Sequence, residues 1–359
     1  MKLLITGGCG FVGSNLARNI LRKYPGYSVT VFDNLSRRGS ELNIPDLNDR
    51  GVRFIHGDIR NREDLFSLPH FDLIIEASAE PSVMAGLDGR RRYLINTNLN
   101  GAVNLLELAL KNKAVFLFLS TSRVYPINHL EAIRYYETAT RFNIADQQIL
   151  NGITQAGVSE SFPIDGFRSL YGASKLSAEL IINEYHQFFG LQTIINRCGV
   201  IAGPYQMGKV DQGFVVHWIA SHFWKKDLSY FGYGGLGKQV RDILYIDDLF
   251  QLIDYQIHHI EKMNGLTFNA GGGKMVNTSL LELTELCREV TGNYIKIQSV
   301  KENRKADIRI YLSDFSKISS ISTWTPKTSL HDMVENIFDW IHKNESTLKN
   351  ILSIPFIQP

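Results

Sequence analysis

Short apolar runs alternate with helical patterns along the first third of the chain. The runs are four to seven residues long and rich in Ile, Leu, Val and Phe, and between them apolar positions recur at helical spacing, as in 98–111. Strands that alternate with helices pair in parallel, because each helix carries the chain back across the sheet. The pattern predicts an α/β fold with a doubly wound, Rossmann-like parallel sheet, whose first strands are 2–6, 28–33, 53–56, 73–76 and 114–120.

The pattern is less regular after another predicted strand at 192–197. Aromatic residues and glycines crowd 214–237, and amphipathic helices are predicted at 279–291 and 330–343. Segments 240–250 and 266–273 are expected to return to the first domain, and the apolar end 351–359 to pack on the body or on a second subunit. We therefore predict three parts. The first domain comprises 1–195 with 240–273, the smaller discontinuous lobe comprises 196–239 with 274–345, and the tail comprises 346–359.

Composition narrows the class of protein. Of 359 residues, 44% are apolar, and 38 Lys and Arg face 36 Asp and Glu, so there is no basic excess for nucleic acid. No apolar run approaches the roughly 20 residues of a bilayer-spanning helix, and no secretory signal is visible at the start. Cys9, Cys198 and Cys287 fit neither a disulfide framework nor a metal motif. We expect a cytoplasmic protein without a metal, a membrane or a nucleic-acid partner.

A glycine motif follows the first predicted strand. Gly7, Gly10 and Gly13 form Gly-x-x-Gly-x-x-Gly before a predicted helix, and Asp33 ends the second strand, 20 residues beyond Gly13. The first glycine permits the tight turn, the second lets a pyrophosphate approach the backbone and the third lets the helix pack. An acid at that distance accepts a ribose hydroxyl. Together these features predict a dinucleotide-binding site.

Asp33 favours NAD as the dinucleotide, because its carboxylate would repel the extra phosphate of NADP. Arg37 and Arg38 complicate this choice, since either could bind a 2′-phosphate or simply be a solvated loop cation. Asp58 follows the third predicted strand. It is placed to meet the adenine or to cap the next helix.

A tyrosine and a lysine define the candidate chemistry. Tyr171 and Lys175 are four positions apart, hence on one face of a predicted helix. An ammonium beside a phenol favours the phenolate, which can take a proton from a substrate hydroxyl while hydride leaves the same carbon. The strand at 114–120 runs into the hydroxyl-rich segment 120–125, at the edge where α/β active sites lie.

These motifs resemble the extended short-chain dehydrogenase/reductases of the nucleotide-sugar epimerase and dehydratase group, over nearly the whole chain. The resemblance implies Thr121, four residues before the tyrosine of Val124-Tyr125, as the catalytic partner of Tyr171 and Lys175. It implies a structural role for Asn98. The implied cofactor-binding set is Gly7, Gly10, Phe11, Val12, Gly13, Asp33, Asn34, Ser36, Arg37, Asp58, Ile59, Asn98 and Lys175.

The chain departs from that family at several positions. Glu76 stands where the family usually has the His of His-x-Ala, and Glu80 follows in the same loop. Pro126 replaces a glycine after Val-Tyr. Ser122 and Arg123 stand where sugar 4,6-dehydratases need an acidic pair to expel water, so dehydration is disfavoured.

Two separate segments resemble the family's diphosphate site. They contain Arg241 and, further on, Arg304 with Asp307. Two guanidiniums can hold a diphosphate bidentately. With Asp211, Gln212 and Trp218, these segments look most like the CDP-tyvelose (CDP-paratose) 2-epimerases.

Thr121 and Tyr171 are separated by an unusually long span of 50 positions. That span includes Thr140 and Arg141, which the resembling 2-epimerases match with a Thr-Arg. The insertion 126–170 is either a substrate-binding loop or a peripheral excursion.

The resemblance implies an NAD-dependent nucleotide-sugar epimerase acting at C2 of a CDP-deoxyhexose, through a transient ketosugar. It also implies a homodimer or homotetramer and a part in lipopolysaccharide O-antigen biosynthesis. A UDP-sugar 4-epimerase would use the same Tyr, Lys and Thr. A non-catalytic NAD-binding regulator would keep the glycines and Asp33, but would not need Tyr171, Lys175, Arg241 and Arg304.

Overall fold

The computed structural model describes residues 1–87, 89–209 and 212–352. Its centre is a seven-stranded parallel sheet, in which Leu3 pairs with Val29 on one side and Leu73 on the other. The predicted doubly wound fold is confirmed. From edge to edge the strands are Arg53–His56, Ser28–Asp33, Lys2–Thr6, Leu73–Glu76, Val115–Thr121, Thr193–Cys198 and Leu266–Ala270.

The central strands are apolar on both faces because helices cover both faces of the sheet. Leu3, Leu4 and Ile5 are all fully buried, with no alternation between core and solvent. The strand order reverses beside Lys2–Thr6, since the chain turns to one side through the second and third strands and then to the other. Ligands of such sheets bind at this reversal, outside the carboxyl ends of the strands.

The helix predicted at 98–111 begins later than expected. A π-helical turn, Asn96–Asn100, precedes helix Gly101–Asn112. Gly101 packs on Ile59, where a Cβ would lie 2.5 Å from the isoleucine Cδ1. The helices associated with the central sheet are Phe11–Lys23, Ile44–Asp49, Arg62–Phe66, Arg91–Ile95, Gly101–Asn112, Leu170–Phe189, Ile246–His258 and Ile260–Met263.

The chain forms two compact units. The first contains Met1–Val124, Leu170–Arg197 and Phe250–Phe268, and the second contains the described residues of 125–169, 198–249 and 269–352. The predicted division differs, because it placed 125–169 and 240–249 in the first domain. Which unit binds which part of a ligand stays a prediction.

The second unit contains a small sheet of its own. Strand Val240–Tyr245 lies between Val200–Ala202 and Asn277–Ser279 and also pairs with Ile310–Tyr311, whereas 240–250 was expected to return to the first domain. The other short strands are Tyr135–Glu137, Phe142–Ile144, Ile153–Thr154, Gly157–Val158, Leu228–Phe231 and Ile297–Val300. The helices of this unit are Ile127–Glu131, Phe214–Phe223, Leu280–Thr291, Ser316–Ile321, Leu330–Lys343 and Glu345–Leu352.

The predicted tail begins as the helix Glu345–Leu352, in which Leu348 and Leu352 are buried. The tail therefore packs on the body as far as it is described, and 353–359 lie outside the described residues. Among the helices described, none has both the length and the apolar character needed to cross a bilayer.

Candidate active site

The turn after the first strand requires glycine at two positions. Gly7 has a φ of +62°, and a Cβ there would lie 2.7 Å from the carbonyl oxygen of Ala77. A Cβ at Gly13 would lie 2.5 Å from the carbonyl oxygen of Gly7, so only glycine lets helix Phe11–Lys23 begin so close to the turn. At Gly10, a Cβ would meet only that same oxygen among the described residues, at 3.1 Å. The open side of Gly10 leaves room for a ligand to approach the backbone.

The beginning of this helix offers backbone donors. Its N-cap is Gly10, which has no side chain to accept from the first turn, where Phe11 and Val12 lie. The first N–H groups of a helix lack carbonyl partners inside it, and the helix dipole adds positive charge there. The buried Ser78 hydroxyl, in the chain that closes against Gly7, has no hydrogen-bond partner among the described residues. These donors fit a pyrophosphate.

Asp33 is fixed beside the glycine turn. One of its carboxylate oxygens accepts from the Cys9 N–H at 3.0 Å and the other from the Leu35 N–H at 2.8 Å. Burial raises the pKa of the Asp33 carboxyl, and the backbone N–H groups oppose that rise. Each carboxylate oxygen keeps another lone pair, so Asp33 can still accept a ribose hydroxyl.

Asp58 is held by an amide and a guanidinium. Asn34 donates to it at 2.9 Å, and Arg60 donates from Nε at 2.9 Å. The Arg60 contact lowers the pKa of Asp58 to about 2. The alternative role of Asp58 as a helix cap is wrong, because Asn61 caps helix Arg62–Phe66. Contact of Asp58 with an adenine stays a prediction.

The loop after Asp33 is organised by its own hydrogen bonds. The N–H of Ser36 donates to the side chain of Asn34 at 3.1 Å, and the carbonyl of Arg37 accepts from the hydroxyl of Ser40 at 2.6 Å. Arg38 is exposed. Either function considered for the two arginines is compatible with these contacts.

The three predicted catalytic residues lie on two adjacent elements of the first unit. Thr121 ends strand Val115–Thr121, while Tyr171 and Lys175 lie at the beginning of helix Leu170–Phe189, which packs against that strand. All three side chains are buried. The hydroxyl of Thr121 accepts from a backbone N–H two residues further on, at 3.2 Å, and its proton has no acceptor among the described residues. It can therefore donate to a substrate oxygen.

Asn98 joins the two loops beside these residues. It lies in the π-helical turn Asn96–Asn100 and donates to the hydroxyl of Ser174 at 3.2 Å. Ser174 in turn donates to the carbonyl of Tyr171 at 2.8 Å. The Asn98 amide also donates to the Glu80 carbonyl at 3.1 Å and accepts from its N–H at 2.8 Å. Asn98 thus connects the loop of Glu80 to the beginning of helix Leu170–Phe189, and its expected role stays a prediction.

Lys175 forms a buried ion pair that the sequence reasoning did not predict. Its Nζ lies 3.5 Å from a carboxylate oxygen of Glu76, and each side chain is only 2% exposed. The ring centroid of Phe118 lies 3.7 Å from the same Nζ. Burial raises the pKa of Glu76, and the Lys175 charge and the Ser78 N–H oppose the rise.

A second buried ion pair engages the hydroxyl of Ser120, the neighbour of Thr121. Arg197 binds Glu179 through Nη2 at 2.7 Å and Nε at 3.0 Å, and Ser120 donates to the same carboxylate. The Ser120 proton is thus already donated to Glu179. Sequence reasoning missed this group, although an acid and an arginine inside apolar helix and strand segments were a usable signal.

In the second unit, Arg241 binds protein groups. Its guanidinium donates to the Asp307 carboxylate at 2.7 Å and to two backbone carbonyls at 2.7 Å and 2.5 Å. The structure thus brings Arg241 and Asp307 together. Arg304 lies over the ring of Phe231, with its Cζ 3.8 Å from the centroid. The sequence reasoning assigned Arg241, Arg304 and Asp307 to the substrate and did not predict the Arg241–Asp307 pair.

Thr140 and Arg141 lie at the turn of a hairpin within the insertion. Thr140 donates to Glu282 at 2.8 Å, and Arg141 forms an ion pair with the same carboxylate at 3.3 Å and donates to Asn277. Glu282 is also the third residue of helix Leu280–Thr291 and completes its capping box. The Nε of Arg141 is buried without a partner among the described residues. The hairpin is therefore ordered, with one donor left for a ligand.

The last predicted substrate segment is described on either side of residues 210 and 211. Gln212 and Lys209 exchange backbone hydrogen bonds at 2.6 Å and 3.1 Å. The indole N–H of Trp218 donates to Thr284 at 3.0 Å, which makes Trp218 a core residue. Asp211 lies outside the described residues.

The sheet, the glycine turn and the Thr-Tyr-Lys arrangement define a dinucleotide-dependent oxidoreductive site, and comparison with known proteins identifies the family. The sequence pattern of the NAD dependent epimerase/dehydratase family matches residues 3–271, and the chain belongs to this family. Over 95% of this chain and 99% of the relative, it is 34% identical to the CDP-paratose 2-epimerase of Salmonella typhi.

Solved structures agree with this assignment. The UDP-glucuronic acid 4-epimerase of Bacillus cereus, in complex with UDP-glucuronic acid and NAD, is 26% identical with a TM-score of 0.77, covering 96% of this chain and 99% of that one. The dTDP-glucose 4,6-dehydratase of Bacillus anthracis, in complex with NAD, is also 26% identical with a TM-score of 0.78, covering 98% and 99%. This protein is therefore an NAD-dependent enzyme of the nucleotide-sugar epimerase/dehydratase class.

Proposed function

We propose that this enzyme inverts C2 of a CDP-linked deoxyhexose of the paratose/tyvelose type, through a transient ketosugar. The observation that carries the choice of carbon and nucleotide is the similarity along almost the entire chain to the CDP-paratose 2-epimerase of Salmonella typhi. The buried arrangement of Thr121, Tyr171 and Lys175 supports oxidation and reduction at a sugar hydroxyl.

Each of these residues has a definite task in the proposal. The Tyr171 phenolate takes the proton of the substrate hydroxyl, and Lys175 favours that phenolate and holds a ribose of the dinucleotide. Thr121 donates to the reacting oxygen, since its proton is uncommitted within the described residues. NAD, when bound, supplies the acceptor and later the donor of one hydride. The ketosugar turns between the two halves of the reaction, so no cofactor is consumed.

Epimerisation is favoured over dehydration by the residues next to Thr121. Elimination of water needs an acid and a base beside the sugar, and here Ser122 and Arg123 follow the catalytic threonine. Glu76, a buried acid at the end of the neighbouring strand, is paired with Lys175. Neither arrangement supplies the acidic pair that a dehydratase requires.

We assign the nucleotide diphosphate to the second unit. The supporting observations are the Arg241–Asp307 pair, the Arg304 guanidinium and the free Nε of Arg141. Three of the five N–H donors of Arg241 already contact a carboxylate and two carbonyls, so at most two are left for a phosphate unless a present acceptor is exchanged. Thr140 and Gln212 complete the proposed substrate set.

The second candidate is a UDP-sugar 4-epimerase. It is favoured by the likeness to the UDP-glucuronic acid 4-epimerase of Bacillus cereus, and oxidation at C4 would use the same three side chains. The purified enzyme, incubated separately with CDP-paratose, CDP-tyvelose, UDP-glucose and UDP-glucuronic acid, distinguishes the two by nuclear magnetic resonance of the sugar. Interconversion of the CDP-sugars is expected. Turnover confined to the UDP-sugars would contradict the proposal.

We further propose a cytoplasmic homodimer or homotetramer that acts in O-antigen biosynthesis. The three cysteines are buried and form no disulfide, as in a reducing compartment. Phe188 and Phe189, at the end of helix Leu170–Phe189, are exposed apolar residues suited to a subunit contact. Sedimentation of the purified protein tests the assembly.

A further inference from the structure

Lys175 and Glu76 are charged groups in a part of the first unit where charge is costly. Both side chains are 2% exposed, and the two are 99 positions apart in sequence. An unpaired buried charge is expensive, so such a group either finds a partner or changes its protonation state. Among the described residues, Glu76 is the one acceptor of the Lys175 ammonium.

The other groups around Lys175 do not offer a second negative charge. Phe118, on the strand that faces the helix, presents its ring at 3.7 Å, and Tyr171 lies one turn earlier on the same helix. Glu179, one turn later, is already bound by Arg197. The Glu80 carboxylate, in the loop that Asn98 joins to Ser174, accepts from the Ser82 N–H.

Glu76 lies on the strand next to the one that ends at Thr121. It ends strand Leu73–Glu76, at the carboxyl edge of the sheet, and its carboxylate is further held by the Ser78 N–H. A carboxylate in this place could act on the phenol in two opposite ways. It could weaken the field of the ammonium at Tyr171, or it could keep the ammonium charged.

Burial decides between these effects. The Lys175 ammonium is 2% exposed, and Glu76 is its one acceptor among the described residues. If Glu76 is neutralised, the buried ammonium has no opposite charge beside it, and the protonated form of the lysine is disfavoured. We propose that Glu76 is a positioning residue: it keeps Lys175 protonated and in place, and thereby sets the pH range in which Tyr171 can act as the base. The proposal rests on the proposed function only for the identity of that base.

The test measures the phenolate of Tyr171 in the protein without added substrate, by ultraviolet difference titration. Each titration is repeated on the same protein carrying Tyr171→Phe as well. The difference between the two curves reports Tyr171 alone among the 15 tyrosines of the chain. Glu76→Gln is expected to move the phenolate transition upward by about one pH unit or more, because the ammonium that favours it is lost. Glu76→Asp retains the charge and is expected to stay within about half a unit of the wild type. Asp72→Asn, at the other end of the same strand, is the matched control and should not move it.

A double-mutant cycle shows whether Glu76 acts through Lys175. In a Lys175→Met background, Glu76→Gln is expected to leave the phenolate transition where Lys175→Met alone puts it. The double variant has no unpaired buried charge, so it is expected to fold even if Glu76→Gln alone does not. Its titration can then still be compared with that of Lys175→Met. In turnover, Glu76→Gln should lower kcat about 10-fold or more at neutral pH with little change in KM, because proton transfer and not substrate binding is affected.

The opposite shift would overturn the proposal. A phenolate that forms at lower pH in Glu76→Gln would mean that the carboxylate only weakens the field of the ammonium, and an unchanged transition would mean that Glu76 is structural. A further shift in the Lys175→Met background would mean that it acts on the phenol directly. The titration needs no sugar substrate, so failure of the CDP-sugar assignment leaves it measurable.

Discussion

The two units hold their candidate functional residues in different ways. In the first unit, Tyr171 and Lys175 lie in a regular helix that packs against strand Val115–Thr121, and Glu76 is the one charged partner of Lys175 among the described residues. In the second, the Arg241 guanidinium has a carboxylate and two carbonyls as partners, and Arg141 is bound by Glu282 and Asn277. The first arrangement leaves the Thr121 proton for a reacting group, whereas the arginines of the second already bind protein groups and keep only part of their donors, such as the Arg141 Nε, for a ligand.

This difference has a consequence for how each unit responds to mutation. In the first unit, the proposed tasks of Thr121 and Tyr171 concern the transfer of a proton and the reacting oxygen. Residues of the second also hold the protein together, so their substitution affects stability as well as binding. Variants of the two units are therefore expected to separate into effects on kcat and effects on KM.

Tyr171→Phe should produce the largest effect. Loss of the phenol removes the base, so kcat is expected to fall about 10³-fold or more while affinity for the nucleotide sugar stays nearly intact. Steady-state kinetics and calorimetric titration measure the two quantities. Tyr185→Phe, which removes a hydroxyl on the same helix that donates to Glu107, is the matched control. A fully active Tyr171→Phe enzyme would overturn the mechanism.

Arg241→Ala and Arg304→Ala should act in the opposite sense. Diphosphate contacts exist in the ground state and in the transition state, so KM is expected to rise about 10-fold with a smaller change in kcat. Arg241→Ala should also lower the free energy of unfolding, because Asp307 loses its partner. Arg288→Ala, which removes an exposed pair with Glu285, is the control. An effect confined to kcat would show that these arginines do not bind the diphosphate.

The preference for one dinucleotide over the other is a smaller expected effect, and it concerns the first unit alone. Asp33 should favour NAD over NADP, because its carboxylate meets the position of the extra phosphate. Titration of the nucleotide-free protein with each dinucleotide measures the preference. Tighter binding of NADP, abolished by replacement of Arg37 and Arg38, would show instead that those arginines clamp the 2′-phosphate.

The smallest expected effect concerns the Asp58–Arg60 pair. The pKa of Asp58 is lowered to about 2, so the pair contributes stability above the unfolded value near 3.8 and loses it as the pH falls through about 2. The pair is partly exposed, so Asp58→Asn should cost only about 1 kcal/mol at pH 7. Urea unfolding at several pH values measures this. A cost that persists undiminished below pH 2 would mean that the charge is not responsible.

The regular strands and helices could be predicted from the sequence. The strand predicted at 114–120 is Val115–Thr121 and that at 192–197 is Thr193–Cys198, because runs of buried apolar residues have few alternatives in a parallel sheet. The helix predicted at 330–343 has those bounds. The glycine turn followed from local geometry, which four or five adjacent residues determine.

The long-range ion pairs could not be predicted in the same way. Glu76 and Lys175 are 99 positions apart, and nothing local in either segment specifies the other. The insertion 126–170 is similar, since its hairpin is held by Glu282, more than a hundred positions further on. Such contacts depend on how distant segments pack in the folded protein, and the spacing of apolar residues along the chain carries no information about them.

The fate of the hydrogen at C2 tests the central claim most directly. Thr121, Tyr171 and Lys175 specify an oxidation but not the carbon at which it occurs. If C2 loses and regains hydride within one catalytic cycle, CDP-paratose deuterated at C2 should give CDP-tyvelose that is still deuterated there, with a primary isotope effect on turnover. Loss of the label to water would contradict the hydride mechanism. A primary isotope effect found only at C4 would contradict the C2 assignment.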